Sequence, residues 1–390
     1  MPPSTTSHRL QEFFDTYTKD LKAEDLQRLF TRDTREAYRF FTRHLDPESL
    51  KGLPWHKRAL AYTRAVFLAF TLKLSPARRI VYGASLVMAL VGLMNLFVRV
   101  GFVRVIDFPL FGNILLPGLI FEKGAGSLFL AFALMNLLVL LEVADRLSLK
   151  NDLEIARDIQ QAMLPSGRYT GAGFETVGFS RPANTVGGDF YDILPLDDGR
   201  VVVTVGDVAG KGSPAALLMA LLLAMMRTLV DERLEAAELV TRLNVQVSRH
   251  APGSRFITLF YAVYDPSTGM LTYVNAGHTQ PLVLRNDGRV DRLTEGGIAL
   301  GMFDQSRYQT GSTTIQPNEL VAIYSDGITE AEDPAGRPFD EAGLENVLKT
   351  NRTADISEVG SSVVRAVERY TADTRLADDL TILLLRRRVA

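Results

Sequence analysis

VVVTVGDVAGKG (201–212) is a run of β-branched residues that ends in a glycine-rich turn. The run predicts a buried strand, because valine and threonine are enriched in strands. Gly206, Gly210 and Gly212 predict a sharp turn with positive φ angles. PAALLMALLLAMMRTL (214–229) then predicts a helix capped by Ser213. We therefore expect Asp207 at the end of the strand, with the backbone carbonyl of Val208 exposed beside it.

Three further aspartates stand at the ends of strand-like runs. Asp189 lies in GGDFYD (187–192), Asp326 in VAIYSDGITE (321–330) and Asp378 in ADDLTILLL (377–385). Each motif alone is typical of an ordinary turn beside a strand. Together, four carboxylates at one edge of a sandwich would repel one another unless cations lay between them. The set therefore favours a pair of hard divalent cations, which can activate water for attack on a phosphate ester.

The composition excludes several classes of function. The chain has 390 residues and no cysteine. Zinc–thiolate sites, iron–sulfur clusters and cysteine-nucleophile phosphatases are therefore excluded. The formal charge of −2 gives no indication of nucleic-acid binding. The five histidines show no metal-ligand spacing, so that oxygen ligands, and with them magnesium or manganese, are favoured.

Two long apolar runs precede these motifs. Residues 80–98 and 124–141 carry no charge, and each is near the ~20 residues that a bilayer-spanning helix needs. Basic residues at their outer flanks predict that both termini lie on the cytoplasmic side. A buried helical hairpin in a soluble sensor domain is the alternative. The apolar segment 108–121 contains prolines and glycines, and it could be interfacial, re-entrant or part of the second span.

Hydrophobic patterning divides the chain into four parts. We predict an N-terminal helical region without a signal peptide (1–79), two transmembrane helices (80–141), a linker helix (142–165) and the aspartate-bearing domain (166–390). The apolar stripe of the linker is not a strict heptad repeat. A short helix pair joining two protomers and a connector packed on its own domain therefore both stay open. The last part alternates strands and helices, which predicts a two-sheet sandwich with helices outside.

Eight strings carry a resemblance to a known family. They are LEIARDIQQAMLP, VGGDFYD, VVVTVGDVAGKGSPAALLMA, FITLFYAVYD, LTYVNAGHTQPLVL, LGMF, LVAIYSDGITEA and ADDLTILLL, in this order over residues 150–388. With them the chain resembles the PPM superfamily of metal-dependent serine/threonine phosphatases (protein phosphatase 2C-like), and most of all its bacterial SpoIIE/RsbU branch. The resemblance implies an α+β fold, a four-layer α-β-β-α sandwich. An all-α membrane or sensor region would precede it.

The resemblance also implies catalytic and metal-binding residues around two Mn²⁺ or Mg²⁺ ions. Asp207 would bridge the ions, and the Val208 carbonyl would bind one of them. Asp326 and Asp378 would complete the shell of the second ion, and Asp189 would hold the cluster directly or through water. Asp379 stands where the superfamily often has asparagine. The histidine acid of the best-known branch has no evident equivalent, Arg181 is only a candidate phosphate ligand, and His278 receives no chemical role.

The activity implied by the resemblance is hydrolysis of phosphoserine or phosphothreonine. The substrate would be a STAS-type anti-anti-sigma protein of a partner-switching pathway, and the enzyme would be anchored in the bacterial cytoplasmic membrane. One alternative is a catalytically silent phosphatase-like scaffold of a membrane receptor. Another is nucleotide binding by GDVAGKG, but this motif is one residue shorter than a P-loop and has Gly212 where a hydroxyl is needed.

Overall fold

The computed structural model describes residues 54, 56–57, 62, 64, 67–68, 71, 74–97, 104–108, 112–116, 122–165, 167–171, 173–251, 255–372 and 376–388. The chain divides into two compact units, Met1–Arg146 and Leu147–Ala390. Most of the helical region predicted for residues 1–79 lies outside the described residues.

Both apolar runs of the sequence are helical. Helix α1 spans Pro76–Phe97, and helix α2 spans Glu122–Met163, so that the predicted linker helix continues the second run without a break. Between them, β1 (Arg104–Phe108) and β2 (Gly112–Leu116) form an antiparallel pair. The region is therefore not all-α as expected. Its apolar composition resembles a membrane segment, but prolines and glycines disfavour a helix there.

The second unit contains two stacked sheets. The first has the strand order β11-β8-β7-β6-β5 with β12 beside β8, and the second has the order β10-β9-β13-β14-β4-β3. All pairs are antiparallel except β11 with β8. The strands are β3 (Arg168–Gly171), β4 (Phe174–Arg181), β5 (Phe190–Pro195), β6 (Val201–Val208), β7 (Ile257–Asp265), β8 (Met270–Ala276), β9 (Leu282–Leu284), β10 (Val290–Arg292), β11 (Gly296–Gly297), β12 (Gly311–Thr314), β13 (Leu320–Tyr324) and β14 (Leu380–Arg387).

Helices cover the outer faces of both sheets. Residues of α3 (Ser213–Val230) and α4 (Ala236–His250) share a hydrophobic core with the first sheet. Those of α6 (Asp340–Thr350) and α7 (Ile356–Tyr370) share one with the second sheet. The single turn α5 (Asp326–Thr329) follows β13. The four-layer α-β-β-α arrangement predicted from the sequence is confirmed.

Side chains along the central strands alternate between the core that lies between the sheets and the core that lies under the helices. In β6, Val203 and Val205 face the core between the sheets, whereas Val202 packs under α3 and α4. In β14, Leu383 lies in the core between the sheets and Leu384 lies under α6 and α7. Successive side chains of a strand point to opposite faces. Because both faces are buried here, these strands read as continuous apolar runs.

Candidate metal centre

The four predicted aspartates lie at one edge of the sandwich. Asp189 directly precedes β5 and Asp207 is the penultimate residue of β6, and these strands pair Phe190 with Gly206. Antiparallel pairing therefore brings the start of β5 to the end of β6. In the other sheet, β13 pairs with β14 in the same way, which places Asp326 near Asp378.

Burial and mutual repulsion raise the pKa of three of these carboxyl groups. For Asp189, burial first and the charge of Asp207 second raise the pKa well above its ordinary value. Burial, followed by the charge of Asp326 just after β13 of the other sheet, raises the pKa of Asp207 to about 6. Burial, Glu330 and Asp378 raise the pKa of Asp326. Each carboxylate would be favoured in its ionised form by a cation among them.

Asp189 provides a further reason to expect a cation. The residue is 5% exposed, and its buried Oδ2 has no hydrogen-bond partner. Buried polar atoms of this kind require an explanation, and an ion is one. Carboxylate and carbonyl oxygens are the ligands that Mg²⁺ and Mn²⁺ prefer. The chemistry and burial of the aspartates therefore fit a hard divalent cation.

The aspartate side chains are not arranged as a complete metal-binding site in this structure. Among the described residues, no three acidic or histidine side chains are arranged to hold an ion. Asp378 is paired with Lys211 instead, whose Nζ lies 3.0 Å from Oδ2 of Asp378 and 2.6 Å from the Ala377 carbonyl oxygen. Both side chains of this ion pair are about half exposed, at 53% and 49%. Lys211 and Asp378 therefore mark the solvent-facing side of the centre.

Two glycines let the backbone approach the aspartates closely. A Cβ atom on Gly188 would lie 2.9 Å from the Val208 carbonyl oxygen and 3.1 Å from Oδ1 of Asp207. A Cβ atom on Gly187 would lie 2.3 Å from Oδ2 of Asp379. Larger residues at these positions would displace the loop that carries Asp189, so that GGD is required here for space.

Asp379 has a role that the sequence analysis did not assign. Its carboxylate accepts hydrogen bonds from the backbone amides of Ala183 and Gly188, both at 2.7 Å. It thereby fixes the loop before β5 to the start of β14. Asp379 is 7% exposed, whereas the side chain of Asp378 is 49% exposed, and no local spacing in the sequence distinguishes these two neighbours before β14.

The turn after β6 confirms part of the prediction and corrects the rest. Gly210 and Gly212 have φ angles of 108° and 78°, as expected. Gly206 instead lies within β6, where a Cβ atom would come within 2.4 Å of the Phe190 ring. The prediction that Ser213 caps α3 is wrong. Gly212 occupies the cap position, and the cap has no side-chain hydrogen bond.

Two other candidates have partners of their own. Arg181 is paired with Glu368, which restrains it as a phosphate ligand. His278 is buried, and its Nδ1 lies 2.9 Å from Oγ1 of Thr258. Burial lowers the pKa of His278 to about 4, so that the ring is neutral near pH 7. No chemical role was predicted for it from sequence.

Comparisons with known proteins show which proteins the C-terminal domain resembles. The family profile described as Stage II sporulation protein E (SpoIIE) matches residues 197–388. Phosphoserine phosphatase RsbU of Bacillus subtilis is 27% identical over 242 residues, which cover 62% of this chain and 71% of RsbU. Protein IcfG of Synechocystis sp. is 28% identical over 277 residues, covering 64% of this chain. The chain spans only 43% of the length of IcfG.

Solved structures show the same fold. The RsbU and RsbW domains of Rv1364c from Mycobacterium tuberculosis give a TM-score of 0.50 at 26% identity, covering 55% of this chain and 60% of that one. The SiaA-PP2C domain of Pseudomonas aeruginosa gives a TM-score of 0.55 at 20% identity, covering 62% of this chain and 98% of that one. Residues 197–388 therefore match the SpoIIE family, and the C-terminal domain is of the PP2C type, similar to RsbU and IcfG.

Proposed function

We propose that this chain is a metal-dependent phosphatase that removes phosphate from serine or threonine of a partner protein. The observation that carries the proposal is the convergence of Asp189, Asp207, Asp326 and Asp378, with raised pKa values for the first three. Structural ion-pair networks also shift pKa values, but here burial and like charges cause the shifts. Such a cluster is stabilised by binding cations.

The residues of the site would have different roles. Asp207, the Val208 carbonyl, Asp326 and Asp378 would hold two Mn²⁺ or Mg²⁺ ions, with Asp189 as a direct or water-mediated support. Bound ions of this kind lower the pKa of water and neutralise charge on a phosphoryl group. Lys211 is half exposed beside Asp378. Its ammonium group is therefore placed to attract a phosphate dianion to the open side of the site.

The proposed substrate is a phosphoserine protein, in keeping with the similarity to phosphoserine phosphatase RsbU. Within that class, we propose a STAS-domain anti-anti-sigma factor of a partner-switching pathway. This choice rests on the SpoIIE/RsbU resemblance alone.

We also propose that the chain is anchored in the bacterial cytoplasmic membrane by two spans. Helices α1 and α2 are long and apolar enough to cross a membrane, as is α3, but one face of α3 packs in the domain core. On α2, Phe129 and Leu140 are 72% and 66% exposed, which would be unfavourable in water. Nη1 of Arg78 lies 2.7 Å from Oδ2 of Asp145. The outer ends of the two spans are thus adjacent, which supports two termini on the same side of the membrane; the cytoplasmic side is proposed from the basic residues at the outer flanks.

A homodimer formed through the linker helix is also part of the proposal. Leu149 and Ile159 of the predicted stripe are 62% and 60% exposed, and a second copy would bury them. Sedimentation of the purified chain in detergent tests this point, and a monomer at micromolar concentration would contradict it.

The activity is tested by phosphate release from a phosphoserine protein. The full chain in detergent should release phosphate with Mn²⁺ and not with EDTA, and Asp207→Asn should abolish the release. The matched control is Asp197→Asn, because Asp197 has a 99% exposed side chain beyond the other end of β5. Equal release with Mn²⁺ and with EDTA would contradict the metal dependence. No release by the folded wild type would favour the silent scaffold.

A further inference from the structure

The last turn of α2 is attached to the loop that carries Asp189. Gln160 is 8% exposed. Its Nε2 donates a hydrogen bond to the Gly187 carbonyl oxygen at 2.8 Å, and its Oε1 accepts one from the Gly187 amide at 3.1 Å. One side-chain amide therefore pairs with both polar backbone groups of Gly187, two residues before Asp189.

A second contact attaches the same helix end beyond Asp189. Arg227 of α3 donates from Nη2 to the Met163 carbonyl oxygen at 2.7 Å, and from Nε to Oδ2 of Asp192 at 2.8 Å. Asp192 is 1% exposed. The end of α2 is thus connected to the chain on both sides of Asp189, directly at Gly187 and through Arg227 at Asp192.

The end of the loop depends on such contacts because the two residues directly before Asp189 are glycines. Gly187 and Gly188 have the largest conformational freedom of any residue type. Their conformation must therefore be fixed by other groups, and the contacts present are Gln160 on Gly187 and Asp379 on Gly188. Since Gly188 lies against the Val208 carbonyl and Asp207, a shift of the loop would also move Asp189 relative to those two residues.

We propose that Gln160 is a positioning residue that holds the Asp189 loop at the place which metal binding requires. This inference rests on the proposed metal-dependent function. Both described hydrogen bonds of the Gln160 side chain go to Gly187, so that it would act on the centre through the backbone of Gly187.

The test compares Gln160→Met with Gln161→Met in the full chain in detergent. Methionine is close to glutamine in length and is unbranched, but it forms neither hydrogen bond. Gln161 is the exposed neighbour in the same helix. For Gln160→Met, we expect the Mn²⁺ dissociation constant to rise about tenfold, which corresponds to about 1.4 kcal/mol. The constant is measured from the electron paramagnetic resonance signal of free Mn²⁺. Phosphate release at saturating Mn²⁺ should stay near the wild-type rate, and Gln161→Met should match the wild type throughout.

Hydrogen–deuterium exchange of residues 183–192 gives a readout that needs neither metal nor substrate. Exchange there should be faster in Gln160→Met than in the control. If Gln160→Met does not fold, Gln160→Asn replaces it, because asparagine keeps the amide but is one methylene too short. A smaller rise in the dissociation constant is then expected.

The inference would be overturned if the folded Gln160→Met variant bound Mn²⁺ with the wild-type dissociation constant. This holds whether its rate at saturating Mn²⁺ is kept or lost. A wild-type chain that binds no Mn²⁺ would instead contradict the proposed function. In that case the exchange measurement still decides whether Gln160 holds the loop.

Discussion

Replacing Asp207 by asparagine should remove activity and at the same time stabilise the metal-free protein. Asparagine keeps the shape of the side chain but removes a charge that burial and Asp326 disfavour. The pKa of Asp207 is raised from 3.8 to about 6. At one pKa unit per 1.36 kcal/mol, the ionised carboxylate destabilises the metal-free fold by about 3 kcal/mol at pH 7. Because Asp189 titrates together with it, we expect a gain of about 2 kcal/mol from the substitution.

The direction of the pH dependence follows from the raised pKa. The unfavourable charge forms in the folded state as the pH rises through about 6, whereas the unfolded chain ionises near 4. The stabilisation by Asp207→Asn should therefore be small at pH 4 and reach its full size near pH 7. For a domain of this size, about 2 kcal/mol corresponds to a rise in Tm of about 4–8 °C.

The assay is thermal unfolding followed by circular dichroism, in EDTA at pH 4 and pH 7. Mn²⁺ should reverse the order of stability, because a ligand at 100 times its Kd stabilises the folded wild type by about 2.7 kcal/mol. The variant should gain much less, and Asp197→Asn should follow the wild type in every condition. Equal Tm values for wild type and Asp207→Asn in EDTA at pH 7 would show that the Asp207 carboxylate does not destabilise the metal-free fold. A gain of the same size at pH 4 would do so as well.

Three further predictions concern the surroundings of the centre. Arg227→Met leaves the buried carboxylate of Asp192 unpaired and should lower the free energy of unfolding by about 2–3 kcal/mol. Adding Asp192→Asn should restore part of this free energy in denaturant titrations. If the effects of the two substitutions on the free energy of unfolding simply add, the two side chains do not interact. Asp379→Ala removes the acceptor for two backbone amides and should lower the free energy of unfolding by about 2 kcal/mol. Calorimetry should also show weaker Mn²⁺ binding, and an unchanged Mn²⁺ affinity would count against the role of Asp379 in fixing the loop. Lowering the pH from 7 to 5 should weaken Mn²⁺ binding about tenfold, because Asp207 must lose its proton to bind, and a pH-independent affinity would speak against Asp207 as a ligand.

The sandwich could be predicted because the burial of its central strands on both faces is visible in the sequence. The valines of β6 and the leucines of β14 fill cores on both faces, and this leaves continuous apolar runs in the sequence. The positions of the four aspartates could be predicted for a related reason. Each stands where an apolar run begins or ends, and strand ends meet at the edge of a sheet.

What could not be predicted depends on which distant segments meet. Gln160 contacts Gly187 and Asp379 contacts Gly188, and neither pair is marked by local spacing. Local reasoning failed at Ser213, because the left-handed conformation of Gly212 places that glycine at the cap. It also missed the β1–β2 pair, where apolar composition alone does not distinguish a strand from a membrane segment.

The dinuclear centre itself is tested by the number of Mn²⁺ ions that the chain binds at pH 7. Equilibrium dialysis of the full chain in detergent should give two ions for the wild type and for Asp197→Asn. Asp207→Asn should bind fewer ions, because it lacks one of the carboxylates proposed to hold them. A wild type that binds no Mn²⁺, or an Asp207→Asn variant that binds two ions with unchanged affinity, would contradict a dinuclear centre built on these aspartates.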